Sequence, residues 1–165
     1  MIISRTIGAA LCVAAFAAPA SAQWMHDEQK GAFSDVTTNL AFTALGKYGL
    51  GFKCTSQDDL MLVFGTPEAI EEQSILTLMT ASQPAILVRV DDESILELTG
   101  TADAPQGNLM LYSAVDADFL DGASAATRRI AVAVRVLGEM YHEVEFGVMG
   151  SGRAIDLLKD GCGIP

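Results

Sequence analysis

Two histidines, three cysteines and 21 carboxylates are the side chains with which this 165-residue chain could do chemistry. Nucleophilic catalysis needs a serine or cysteine beside a base that an acid orients. His26 lies in a polar stretch without period, and His142 shares parity with Val144 and Phe146, the pattern of a half-buried histidine held by a hydrogen bond. Ser151 stands in Gly150-Ser151-Gly152, but a nucleophile elbow needs glycines two residues to either side, where this chain has Met149 and Arg153. The same triplet opens like a dinucleotide-binding loop, yet Ile155 takes the third glycine position and the chain ends at Pro165 without room for a further parallel strand. What remains is a helix start, with Ser151 as its cap and Ser151, Gly152 and Arg153 as a candidate site for a partner's carboxylate or phosphate.

The acidic pairs Asp58-Asp59 and Glu71-Glu72 and the run Asp91-Asp92-Glu93 fall in expected turns or in a segment of mixed signals, where solvation is the expected role. Asp116, Asp118 and Asp121 before Gly122 approach a calcium loop but lack its closing glutamate. In Trp24-Met25-His26 the histidine falls fourth, not third, after the expected cleavage site, which disfavours an N-terminal copper site. No catalytic residue, metal ligand or cofactor is therefore assigned, and protein contact is the expected mode of action.

The N-terminus has the order of a secretory signal: Arg5, an apolar run from Ile7 to Ala18, then Ala20-Ser21-Ala22. The run is too short to span a bilayer. Residues 1–22 are expected to be a signal peptide, which makes the compartment periplasmic or secreted. Removing Arg5 takes the formal charge from −11 to −12, and removing Cys12 leaves Cys54 and Cys162. An even pair in an oxidising compartment reads as one disulfide, worth on the order of 4–5 kcal/mol by loop entropy. Basic residues are few and scattered, which excludes nucleic acid and favours a basic partner.

The elements that must position these residues are mostly strands. Residues 23–34 read as a loose leader, and 35–165 as a single domain. Beyond the leader the apolar period is two: Thr38–Leu45, Leu50–Cys54, Leu60–Phe64, Ile86–Val90, Leu96–Leu98, Leu109–Ser113, Ile130–Val136 and Val144–Val148. Gly138-Glu139 reads as the turn between the last two. Asp116–Ala125 and Gly152–Asp160 read as short helices, the second with Ile155, Leu158 and Cys162 on one face. From Thr66 to Ser82 the signals conflict, Thr66-Pro67-Glu68 reading as a helix start and Ile75–Met79 as strand. The expected fold is mainly β, an antiparallel sandwich or half-barrel of about eight strands whose short C-terminal helix is disulfide-linked to the sheet.

Leu50-Gly51-Phe52-Lys53-Cys54, the motif around Arg89 and Asp91, Val144-Glu145-Phe146 and the Gly150 to Cys162 segment resemble the type VI secretion-associated VasI-like family. They are more distantly similar to invasion-associated locus B proteins. The resemblance implies an exported β-rich module, without established enzymatic chemistry, that acts through protein contacts connected with secretion or the envelope. An acidic inhibitor of a basic hydrolase such as lysozyme is the alternative, with Ser151-Gly152-Arg153 as a plug for a carboxylate-lined cleft.

Overall fold

Alternating apolar side chains can be buried only if each strand turns one face toward a second layer, and two stacked sheets satisfy that requirement. The computed structural model describes residues 23–32 and 35–165; the expected signal peptide, residues 1–22, lies outside them. In chain order the strands are β1 (Met25–Lys30), β2 (Thr37–Leu45), β3 (Tyr48–Cys54), β4 (Met61–Ala69), β5 (Ala85–Val90), β6 (Leu96–Thr99), β7 (Thr101–Asp103), β8 (Asn108–Ala114), β9 (Arg129–Val136) and β10 (Glu139–Gly147). The helices are α1 (Gln73–Ala81), α2 (Ala117–Ser124) and α3 (Ser151–Cys162). The strands make one antiparallel sheet ordered β1-β2-β3-β4-β8-β7 and another ordered β10-β9-β5-β6.

Phe52, Leu62, Phe64 and Leu111 from the larger sheet meet Ile86, Val132, Val134 and Phe146 from the smaller one in a continuous core. The Phe64 and Phe146 rings cross edge to face with centroids 6.3 Å apart, which ties β4 to β10. Two strands beyond the eight expected complete the sheets, β1 and the three-residue β7.

The N-terminal stretch is not a loose leader. Trp24 is only 3% exposed, stacks on Phe52 and donates its indole N–H to the carbonyl of Gly147 at 2.9 Å. Its backbone N–H donates to Met149 O, and β1 follows directly as an edge strand on β2. The polar sequence of β1 hides it from a hydrophobic period, because both its faces remain largely in water. The domain therefore begins ahead of residue 35.

The conflicting segment resolves opposite to its local signals. Thr66 to Ala69 prolong β4, with Pro67 in the irregular stretch between Gly65 and Ala69, where a missing N–H disrupts the ladder least. Ile75 to Met79 lie within α1, whose leucines and methionine are good helix formers. Leu137-Gly138, not Gly138-Glu139, turns the β9–β10 hairpin, since Val136 pairs with Glu139.

The cystine is present, joining Cys54 at the end of β3 to Cys162 at the end of α3. The helix buries Ala154, Ile155 and Leu158, and Gly161 lets it lie close to β2, because a Cβ there would collide with the Asn39 amide. Trp24→Ala is expected to lower stability by about 3–5 kcal/mol, measured by urea unfolding followed by circular dichroism. A loss below about 1 kcal/mol, within the range of an ordinary surface substitution, would mean that residue 24 is indeed outside the fold.

Candidate functional site

The Ser151-Gly152-Arg153 corner is a structural joint. Gly150, at φ +83°, caps α3, and Ser151 is the first helical residue. Ser151 is 1% exposed, and its hydroxyl donates to Val148 O at 2.9 Å, so no partner reaches it. Gly152 faces the carbonyl of Ser124 at the end of α2. Arg153 alone of the three is exposed, on a helical turn rather than on a projecting loop.

Arg89 and Asp91 lie two residues apart but do unrelated things. Asp91 adopts φ +49° and accepts four hydrogen bonds, from the N–H groups of Thr127, Arg128 and Arg129 and from the Thr127 hydroxyl, all at 2.8–2.9 Å. It fastens the turn after β5 to the start of β9. The N–H of Thr127 foremost, with those of Arg129 and Arg128, holds this carboxyl far below the usual carboxylate range. The Arg89 side chain is exposed and forms no hydrogen bond or ion pair among the described residues. Its neighbours are committed: Arg128 to Asp92, Arg129 to Asp92 and Glu145, and Arg135 to Glu97.

The opposite end of the sandwich is built differently. There α1 spans a cleft of about 370 Å³ against β10, with Glu68, Ile70, Ile75, Met79, Tyr141 and His142 in its walls. Leu76 is the buried anchor of the helix, while Ile75 and Leu78 are open to solvent, Leu78 at 72%. The hairpin tip is odder still. Leu137 and Gly138 both take positive φ, +51° and +91°, as a type I′ turn requires, a site where Asn-Gly is the favoured pair. Leu137 is nevertheless a large apolar residue, 86% exposed.

A bulge between Tyr141 and Val144 places His142 at φ +51° with its ring edge-on to Tyr48, Nδ1 lying 3.4 Å from the phenol oxygen. His26 lies on β1 in the other sheet. Among the described residues neither histidine is hydrogen bonded to a serine, cysteine or carboxylate, and no group of three or more His, Cys, Asp and Glu is arranged to hold a metal. Glu68, Glu71, Glu72, Glu139 and Glu143 lie on the α1 segment and the hairpin, against Lys47 in the β2–β3 turn and Arg135 of the hairpin, which is paired with Glu97.

The sequence signals for this end were a conflicting segment and a misplaced turn, so neither Leu137 nor α1 stood out. A Leu-Gly pair between two alternating runs was the available clue.

No family model and no curated protein matches the chain. Among solved structures it is similar to invasion associated protein B from Bartonella henselae, with a TM-score of 0.55 and 10% identity, over 85% of this chain and 92% of that one. At that identity the likeness shows a shared fold. No match supports the VasI-like resemblance. No helix among the described residues is long and apolar enough to cross a membrane.

The Asp91 clasp has a definite pH signature. A carboxylate whose folded pKa is depressed adds stability above its unfolded value, about 3.9, and loses it as pH falls toward the folded value. Asp91→Asn keeps the size but turns an N–H toward the donors of the 127–129 segment. The melting-temperature gap between wild type and Asp91→Asn is expected to be constant above about pH 5 and to close below about pH 4. A gap that stays unchanged through the acid range would show that the charge of Asp91 contributes nothing.

Proposed function

We propose that the chain is an exported, non-enzymatic envelope module that holds a cationic protein partner on the end of the sandwich formed by α1 and the β9–β10 hairpin. One observation carries the reading. Leu137 occupies a left-handed turn position that costs an ordinary side chain stability, and it gains no packing in return, being 86% exposed. A residue that breaks a local rule without compensation inside the fold points to a contact outside it.

The apolar tip, the uncovered face of α1 and the surrounding glutamates fit a partner with an apolar recess and a basic rim. The cystine supports an oxidising compartment. The basic-hydrolase alternative places lysozyme in the same class of partner, now at this end rather than at the Ser151 corner.

Leu137→Asn separates function from stability. It should raise stability by about 1 kcal/mol, because asparagine suits the turn, and should weaken partner binding. The test is retention of basic proteins, lysozyme included, from an envelope extract at low and high salt. Wild type is expected to retain a basic protein that salt releases and that Leu137→Asn fails to retain. Equal retention by both proteins, or retention indifferent to salt, contradicts the reading.

A further inference from the structure

The outward face of the larger sheet carries a groove of about 330 Å³, lined almost wholly by apolar groups, that no other described element covers. Its floor is the backbone of β3 and β4 at Gly49, Gly51 and Gly65, where Gly49 pairs with Gly65 and Gly51 with Val63. Glycine in a strand interior weakens the strand unless something must approach its backbone. Gly51 meets such a need inside the fold, since a Cβ there would lie 2.9 Å from Ala41 O and from Phe42 Cβ.

Gly49 and Gly65 do not. Neither has positive φ, and the nearest atoms to an added Cβ are 4.0 Å away at Gly49 and 3.8 Å away at Gly65. The fold would accept side chains at both positions, and their absence is what makes the trough. Phe42 stands on one side and Val63, Met110 and Tyr112 on the other. From Gly49 to Lys53 the trough runs roughly 13 Å, four strand residues at about 3.3 Å each.

Lys53 gives the groove a polar end. Its Nζ lies 4.7 Å from the centre of the Tyr112 ring. Nearby Asp59 takes its hydrogen bonds from Thr55 and Ser56 and feels the Lys53 charge without forming an ion pair with it, and Asp27, in the same row two strands away, accepts from Gln29. An open apolar trough bordered by one cation with no carboxylate bonded to it suits a hydrocarbon chain with one acidic head.

We infer that this groove binds a medium-chain fatty acid, its alkyl chain over Gly49 and Gly51 of β3, beside Gly65, and its carboxylate on the ammonium of Lys53. This is independent of the docking end, because the groove lies on a sheet face and involves neither α1 nor β10.

Calorimetric titration of the purified protein with decanoate is the test, with decanol and phospholipid vesicles as comparison probes. Decanoate should bind saturably, and decanol at least about tenfold more weakly for want of the charge-assisted contact. Gly49→Val and Gly65→Val, which suit a strand, should keep or raise the melting temperature and abolish binding. Lys53→Met should weaken decanoate to the level of decanol. The inference is overturned by absence of saturable decanoate binding, by Gly65→Val binding as wild type does, by vesicle binding that decanoate does not displace, or by a dimer that seals the groove.

Discussion

The cystine between Cys54 and Cys162 is the constraint on which the rest of the molecule leans. It closes a loop of 108 residues and fixes the last turn of α3 to the last residue of β3. A helix of 12 residues with Gly152 and Gly161 inside it has little stability alone. Held at Cys162, it can bury Ala154, Ile155 and Leu158 and pack Gly161 against Asn39. Its first turn then meets Val148 and the backbone of Trp24, while Lys159 pairs with Asp121 of α2 at 2.7 Å. The helix thereby links the cystine at its last turn to the start of the described chain, which lies beside its first turn.

Two parts of the molecule are built differently. The part around α3 is closed by aromatic stacking, a buried hydroxyl and the packing of α3 on α2, and Ser151, which a sequence pattern would offer to a partner, is consumed in closing it. The other part is covered by α1, with Leu76 its one buried residue among those described, and by a hairpin whose tip accepts a strained leucine.

Much of this was legible from spacing, and the exceptions have physical causes. Strands with one buried face announced themselves by parity, as Leu50, Phe52 and Cys54 do, and Ile155, Leu158 and Cys162 marked the buried side of α3. β1 was illegible because an edge strand with few inward side chains has no period to display; only Trp24, apolar beside a polar run, signalled it. Ile75 to Met79 read as strand because an apolar pentapeptide is ambiguous without long-range partners, and β4 consumed the segment expected to start a helix. Asp91 read as a solvated turn residue because the three N–H groups it binds arrive from a segment more than thirty residues later. Gly49 and Gly65 fell just outside the expected strands Leu50–Cys54 and Leu60–Phe64, and their meaning rests on the empty space above them.

The account stands most directly on the claim that the cystine holds α3 and, through it, the end that anchors Trp24. Hydrogen–deuterium exchange of the oxidised and the reduced protein reads this residue by residue, under conditions where the reduced form keeps its strand circular dichroism. Reduction should speed exchange in α3 and at the Trp24 N–H by about tenfold or more, while the paired amides of β5 and β9 change little. Unchanged protection of α3 after reduction, or two free thiols in the native protein before it, would contradict the account.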